Sequence, residues 1–263
     1  MPLVFAAITP HPPIIIPGVG SRDDLNKAQA TITGMTKLAS LWAKAKPETT
    51  IVISPHAPLE NNYFAINDNP KIKTNLAEFG AIKLDSDLAA DTEFINHLKN
   101  NPDLKNLLAI YQNKLLDHGT SVPLYYFLQK NNNFRIISLS FSLLSLSRHL
   151  TYGKILGDEI SKSKKRFAVI ASGDLSHALS PQAPAGFSPQ GKIFDEYLIR
   201  SIKNNNLSDL ANTDERLMTA AAECGLRSFV ILAGILKNLK YKSNIISYEA
   251  PWGVGYLVVN FHI

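Results

Sequence analysis

Two histidines of this chain stand in the same uncommon context, directly after an apolar run and close to prolines. His11 lies in segment 9–13 and His56 in segment 54–58, each with a proline directly before it and another within two residues after it. Proline fixes its own backbone and keeps the preceding residue extended, so each imidazole should project from a stiff loop. Two neutral imidazoles and one carboxylate are the ligands of non-haem Fe(II) enzymes that handle O₂. The pattern therefore predicts a third ligand, a carboxylate, elsewhere in the chain.

Glu223 is the best candidate for that carboxylate. It lies in a run of small residues, 220–225, where an unpaired charge would be costly to bury and a metal ion would remove that cost. Purely structural roles stay open for these side chains, because a lone histidine after a strand more often makes ordinary hydrogen bonds, and a carboxylate also suits a helix N-terminus. Asp117-His118 and segment 174–177 could each be a turn held by an aspartate. The residues alone thus support a histidine–carboxylate metal site and name no substrate.

Alternating strands and helices must position these residues. Apolar runs predict strands at 3–8, 51–53, 63–66, 134–141, 167–171, 245–248 and 256–261, and helical spacing predicts helices at 25–45, 88–98, 122–128, 147–160, 194–202 and 217–236, the last interrupted near 223–225. We therefore expect one α/β domain over residues 1–263, with a central, largely parallel mixed sheet covered by helices. In such sheets the site lies at the carboxyl ends of the strands. His11, His56 and His177 each follow a predicted strand and should meet at that edge.

Composition narrows the class of protein. The 263 residues are 45% hydrophobic and 19% charged, which is ordinary for a globular protein. No apolar stretch is long enough for a membrane span and no basic leader opens the chain, so we expect a cytoplasmic protein without a membrane partner. The net charge is +5, but the lysines are scattered, and the dense run 162–166 ends a predicted helix, where cations complement the dipole. We therefore expect no nucleic-acid partner.

The chain has a single cysteine, Cys224. One cysteine excludes both an internal disulfide framework and a cysteine-based zinc site.

Five short motifs occur in one order along the chain. They are His11-Pro12-Pro13, Ser54-Pro55-His56, Leu116-Asp117-His118-Gly119 with Val122-Pro123-Leu124, Ser172-Gly173-Asp174-Leu175-Ser176-His177, and Glu223-Cys224-Gly225. In this order they resemble the class III extradiol ring-cleavage dioxygenases, the family of the protocatechuate 4,5-dioxygenase catalytic (B) subunit. The likeness covers nearly the whole chain. It is strongest to the dioxygenase-like subgroup that is often joined to, or encoded near, an AMMECR1 domain and is related to the Memo proteins.

The resemblance implies a role for each of five residues. His11, His56 and Glu223 would be the Fe(II) ligands, with zinc as a substitute ion, while His177 would be the acid–base histidine and His118 a second pocket histidine. The implied activity is an extradiol dioxygenase that inserts O₂ into a catechol-type ring next to the diol, as in the catabolism of aromatic compounds. The implied partners are a catechol-type substrate, O₂ and an AMMECR1-type protein. A homodimer is expected from base rates alone.

Two other functions suit the same residues. A Memo-like protein would keep the metal pocket and bind without oxygenating anything. A zinc-dependent hydrolase also uses two histidines and a glutamate, although the sequence has no His-Glu-x-x-His motif. The identity of the metal, and whether O₂ is consumed with a catechol, separate the three hypotheses.

Overall fold

A computed structural model describes residues 2–81 and 86–263. Its strands are β1 (Leu3–Thr9), β2 (Thr49–Ser54), β3 (Phe64–Asn67), β4 (Lys71–Lys73), β5 (Asp87–Ala90), β6 (Leu108–Tyr111), β7 (Arg135–Ser140), β8 (Phe167–Ser172), β9 (Lys242–Glu249) and β10 (Tyr256–His262). Its helices are α1 (Arg22–Lys27), α2 (Gln29–Ala45), α3 (Thr92–Asn100), α4 (His118–Leu128), α5 (Leu146–Lys162), α6 (Pro189–Lys203), α7 (Glu215–Ala221) and α8 (Leu226–Leu236).

All ten strands belong to one mixed sheet. The main path runs β4-β5-β7-β2-β8-β1-β10-β9, and β3 and β6 branch from it at β7. The four neighbours β7, β2, β8 and β1 are mutually parallel, whereas β10 pairs with β1 in the antiparallel direction. Every residue of β2 and β8 is buried, as expected for parallel strands covered on both faces. The predicted α/β domain with a largely parallel mixed sheet is confirmed.

Helices cover this sheet at close range. α2 packs on β9 and β10, while α8 packs on β8 and crosses α5. The crossing is tight because glycines lie in it: a Cβ on Gly153 would collide with the carbonyl of Ile231, and one on Gly234 with that of Leu150. In the described part of the chain, none of the helices combines the length and the apolar character that a membrane span needs.

Three predicted elements differ from the structure. The helix predicted at 88–98 is wrong at its start, because Asp87–Ala90 pair with β4 and β7 as a strand with alternating burial and the helix begins only at Thr92. The helix predicted from residue 25 is broken at Ala28, between α1 and α2. The helix predicted from residue 122 begins at His118, because Asp117 caps it by accepting a hydrogen bond from the Thr120 amide. The sequence pattern does not predict the short strands β4 and β6.

Candidate metal centre

Three adjacent strands deliver three histidines to one edge of the sheet. β1 ends at Thr9, β2 at Ser54 and β8 at Ser172, and these strands are neighbours in the order β2-β8-β1. His11, His56 and His177 follow within two to five residues of those ends. The predicted position at the carboxyl ends of the strands is confirmed. His118 reaches the same place from a different direction, as the first residue of α4.

The imidazoles of His11 and His56 face each other. Their Nε2 atoms are 3.0 Å apart, and the His118 ring lies with its centroid 4.0 Å from that of His56 and 5.5 Å from that of His11. His11 is buried, with 2% of its surface exposed, whereas His56 is an exposed residue. The cluster is therefore anchored in the core on the His11 side and opens to solvent on the His56 side.

The third group beside this pair is the thiol of Cys224. Its Sγ lies 3.6 Å from His11 Nε2 and 3.9 Å from His177 Nε2. Within the described residues, the ligand atoms of His11, His56 and Cys224 all lie within 4.8 Å of one another, and Glu223 does not join this group. The exclusion of a cysteine-based zinc site, drawn from the lone Cys224, is too strong, because a single thiolate combined with two imidazoles needs no second cysteine.

The Glu223 carboxylate binds the start of a helix. Its Oε2 accepts a hydrogen bond of 2.6 Å from the amide of Leu226, the first residue of α8. The alternative of a helix-terminal carboxylate is therefore what the structure shows for this side chain. Its assignment as a metal ligand stays a prediction.

The turn that carries Cys224 is tightly built. Ala222 adopts a left-handed conformation with φ 52° at the end of α7, which costs a non-glycine residue free energy. Gly225, after Cys224, packs against Gly173, the residue that directly follows β8. The two backbones are so close that a Cβ on Gly173 would collide with the Cα of Gly225. Asp174 closes the contact, since its amide donates to Cys224 Sγ over 3.2 Å. The two glycines thus let the Cys224 turn approach the strand ends.

Backbone and side-chain hydrogen bonds fix His11. Its amide donates to Asp174 Oδ1 over 2.9 Å, and its Nδ1 lies 3.0 Å from Ser172 Oγ. The Ser172 hydroxyl has one proton, which it donates to the Gly119 carbonyl over 2.5 Å. Because that proton is used, the hydroxyl must accept from His11 Nδ1–H. His11 Nε2 is therefore the unprotonated nitrogen, with its lone pair directed at the cluster.

A second network holds His56 and His118. The His56 amide donates to Ser54 Oγ over 3.2 Å, and the Ser54 hydroxyl donates to Asp117 Oδ1 over 2.5 Å. Asp117 also caps α4 at Thr120 through both carboxylate oxygens. A single aspartate therefore ties the loop after β2 to the N-terminus of α4. The sequence indicates that Asp117 could stabilise a turn, but no local pattern predicts its hydrogen bond with Ser54.

The site favours neutral imidazoles. Burial, followed by the neighbouring His56 charge, lowers the pKa of His11 well below its ordinary value, and burial together with His118 lowers the pKa of His56 to about 4. The pKa of His118 and that of His177 are also lowered, mainly by burial. Neutral imidazoles have free lone pairs, which a metal ion requires.

The acidic groups of the site carry protons more readily than usual. Burial raises the pKa of Asp174 and that of Glu223 to about 7 each, and it raises the pKa of the Cys224 thiol well above its ordinary value. A divalent cation would reverse these shifts, because a coordinated thiol or carboxylate is deprotonated. The donor set therefore fits a transition-metal ion, for which His11, His56 and Cys224 offer two nitrogens and one sulfur.

Comparisons with known proteins agree with the predicted family. Residues 5–259 match the family model described as the catalytic LigB subunit of aromatic ring-opening dioxygenase. Protein CA_C1420 of Clostridium acetobutylicum is 30% identical over 262 residues, which cover 96% of this chain and 56% of that protein. The chain thus spans just over half the length of this curated relative.

A solved structure shares the fold. The crystal structure of the uncharacterized protein JW3007 from Escherichia coli K12 superposes with a TM-score of 0.65 at 15% identity, covering 98% of this chain and 99% of that one. At this identity the likeness concerns the fold alone. The family match over residues 5–259 shows that the chain belongs to the family of catalytic LigB subunits of aromatic ring-opening dioxygenases.

Proposed function

We propose that this protein is a metal-dependent extradiol dioxygenase, which uses O₂ to open a catechol-type ring next to its diol. The observation that carries the proposal is the pair of imidazole nitrogens 3.0 Å apart beside the Cys224 thiol. Family membership supports aromatic ring opening in general. The position of the cleaved bond, the ion and the substrate class are parts of the proposal.

The proposed ion is Fe(II), with zinc as a substitute. Bound Fe(II) would mediate electron transfer from the diol, which is oxidised, to O₂, which is reduced, and would supply the positive charge that makes a bound phenol more acidic. His11 and His56 would hold the ion. The third ligand would be Cys224, which already lies beside the imidazoles, or Glu223, which the resemblance implies and which must leave the Leu226 amide to reach them.

His177 is the proposed proton acceptor. Its Nε2 lies 3.9 Å from Cys224 Sγ at the same edge of the sheet, and its lowered pKa keeps it neutral at physiological pH. A neutral imidazole can take the phenolic proton of a bound diol and return it later in the reaction. His118, stacked near His56, is the proposed second pocket histidine. General acid–base catalysis of this kind contributes about 10²–10⁴-fold in rate.

The test is anaerobic reconstitution with Fe(II), followed by O₂ uptake and absorbance scans with a panel of catechols. We expect a coloured ring-opened product whose formation consumes O₂ in equal amount. The variant His177→Ala should still bind the metal and lose about 10²–10⁴-fold in turnover. Tight metal binding with no O₂ uptake for any catechol would overturn the oxygenase proposal.

A Memo-like metal-binding protein without oxygenase activity is the second candidate. The observation that favours it is Cys224, because a thiolate in place of a carboxylate makes a softer site that also suits Zn²⁺ or Cu⁺. Competition among Fe(II), Zn(II) and Cu(I) for the apoprotein separates the candidates. Preference for Cu(I), combined with no reaction of the Fe(II) form, would support the second function.

A further inference from the structure

A small cavity lies beside the metal centre, on the exposed side of His56. Its volume is about 180 Å³, and it is bounded by His56 and Asp117 on one side and by Asn67, Asn75 and Tyr111 on the other. Pockets that hold a whole drug-sized ligand measure about 300–1,000 Å³. This cavity therefore has room for one substituent of a ligand that is itself bound at the metal centre.

The described lining of the cavity offers hydrogen-bonding groups but no lysine or arginine side chain. The one carboxylate of this described lining, Asp117, already accepts hydrogen bonds from Ser54 and Thr120. Asn67 is also occupied, since its amide donates to the Asn113 carbonyl and accepts from the Asn69 amide.

The polar groups of the lining that remain available include those of Asn75 and Tyr111. Asn75 Oδ1 accepts from the Ala77 amide, and within the described part of the chain no hydrogen bond is made by its side-chain nitrogen. The Tyr111 hydroxyl has a long contact of 3.3 Å with Ser138 Oγ. Burial raises the pKa of Tyr111, so this hydroxyl stays protonated. An amide N–H and a phenolic O–H can both bind a neutral carbonyl or hydroxyl group.

We propose that this cavity is a subsite for an uncharged polar substituent of the aromatic diol, such as a carboxamide, with Asn75 and Tyr111 as the specificity residues. The inference rests on the proposed function, because the diol must be held at the metal centre next to His56. A carboxylate substituent would lose its hydration without meeting a cation among the described residues, which is unfavourable.

Two nearly isosteric ligands test the subsite. The protein is loaded with redox-inert Zn(II), and dissociation constants are measured for 3,4-dihydroxybenzamide and 3,4-dihydroxybenzoate without O₂. We expect the amide to bind at least about 10-fold more tightly. Asn75→Asp should increase this discrimination against the benzoate and favour 3,4-dihydroxybenzylamine. Asn132→Asp, the same change at an exposed position away from the site, should leave all three constants unchanged.

The outcomes separate the subsite from the dioxygenase activity. Equal or tighter binding of the benzoate, or no response to Asn75→Asp, overturns the subsite even when Fe(II) protein consumes O₂ with catechol. Discrimination by the Zn(II) protein without any O₂ uptake by the Fe(II) protein supports the subsite and overturns the dioxygenase. Failure of every diol to bind overturns both.

A second inference concerns a proline inside α4. Pro123 is the sixth residue of that helix. In an α-helix the N–H of residue 123 would donate to the carbonyl of residue 119, but proline has no N–H and its ring pushes against that carbonyl. The Gly119 carbonyl instead accepts the Ser172 hydroxyl over 2.5 Å.

The geometry points to Pro123 as a positioning residue for the metal centre. By leaving the Gly119 carbonyl free, it orients the Ser172 hydroxyl, which then accepts from His11 Nδ1–H and leaves His11 Nε2 free to bind metal. Partners that orient a ligating histidine are worth about 10–100-fold in metal affinity. Pro123 acts through two other residues and touches neither the metal nor the substrate.

The test compares metal affinity with stability. Pro123→Ala restores an N–H that competes for the Gly119 carbonyl, so we expect Zn(II) affinity to fall about 10-fold while the metal-free protein keeps or gains unfolding free energy. The neighbouring control Val122→Ala removes a buried side chain, so it should lower stability and leave affinity unchanged. Nitrogen NMR of His11 reports the tautomer directly.

A double-mutant comparison completes this test. Ser172→Ala should weaken Zn(II) binding, and Pro123→Ala should add nothing to it, because both changes act on one hydrogen bond. Additive losses, or an unchanged Nδ1–H tautomer in Pro123→Ala, would overturn the inference.

Discussion

The acidic side chains at the two ends of the central parallel strands differ in whether a cation pairs with them. At the amino ends, Asp91 pairs with Lys165, and Glu159 pairs with Lys162 and His97. At the carboxyl ends, Asp174 and Glu223 form no ion pair with a lysine or arginine among the described residues, and burial raises the pKa of each to about 7. Charges are therefore balanced within the chain at one end and left for a ligand to balance at the other.

Cavity size alone would point to the amino ends instead. The amino-end cavity, bounded by residues such as His97, Glu159 and Lys165, measures about 390 Å³, against about 180 Å³ beside His56. Most of its charged groups already have partners, which a ligand would have to displace: Glu93, His97, Glu159, Lys162 and Lys165. The carboxyl-end cluster instead presents neutral imidazoles with free lone pairs. The proposed function therefore rests on buried groups without a counter-charge and not on cavity volume.

The largest expected effect is the loss of metal on removing His11, and removing His97 at the amino ends is the control. His11→Ala should abolish stoichiometric metal binding, because it deletes the buried nitrogen that lies 3.0 Å from His56 Nε2. His97→Ala removes a half-exposed partner of Glu159 and should leave metal content unchanged. Elemental analysis after dialysis measures both. Equal metal content in wild type and His11→Ala would mean that the ion binds elsewhere.

The next effect separates the two candidates for the third ligand. We expect Cys224→Ser to weaken Zn(II) binding by more than the roughly 10–100-fold typical of an outer-shell residue, and Glu223→Gln to weaken it less, because Cys224 is the group within 4.8 Å of both imidazoles. A thiolate-to-metal charge-transfer band in the Co(II) protein gives an independent measurement. If the order is reversed and the band is missing, Glu223 is the ligand.

The same comparison explains what the sequence could predict. The strands that precede His11, His56 and His177 are runs of largely apolar residues, and this local pattern predicts them correctly. Cys224 carries no such signal, because its role arises only when its turn meets the end of β8 across the Gly173–Gly225 contact. Likewise, Asp87–Ala90 resemble a helix locally, and only pairing with β4 and β7 makes them a strand.

Asp195 offers a smaller, pH-dependent test of an uncompensated carboxyl group. It is buried on α6 and accepts hydrogen bonds from the Ser176 amide and the Tyr248 hydroxyl, and burial raises its pKa to about 6 from 3.8. Between these values the folded state keeps a proton that the unfolded state has lost, so stability falls as pH rises. The total is at most about 3 kcal/mol. Urea unfolding should show this decline relative to Asp195→Asn, and parallel curves would contradict it.

Asp91 should show the opposite slope, with the smallest change. Burial pushes its pKa up, but hydrogen bonds from Lys165 and Thr49 outweigh this and lower the pKa. A depressed pKa stabilises the fold above the unfolded pKa, and this contribution is lost as pH falls through the folded pKa. Asp91→Asn should therefore cost about 1–2 kcal/mol at pH 7, since Lys165 is partly exposed, and progressively less in acid. A cost that stays constant with pH would show that Asp91 acts as a neutral helix cap for α3 and that its charge adds nothing.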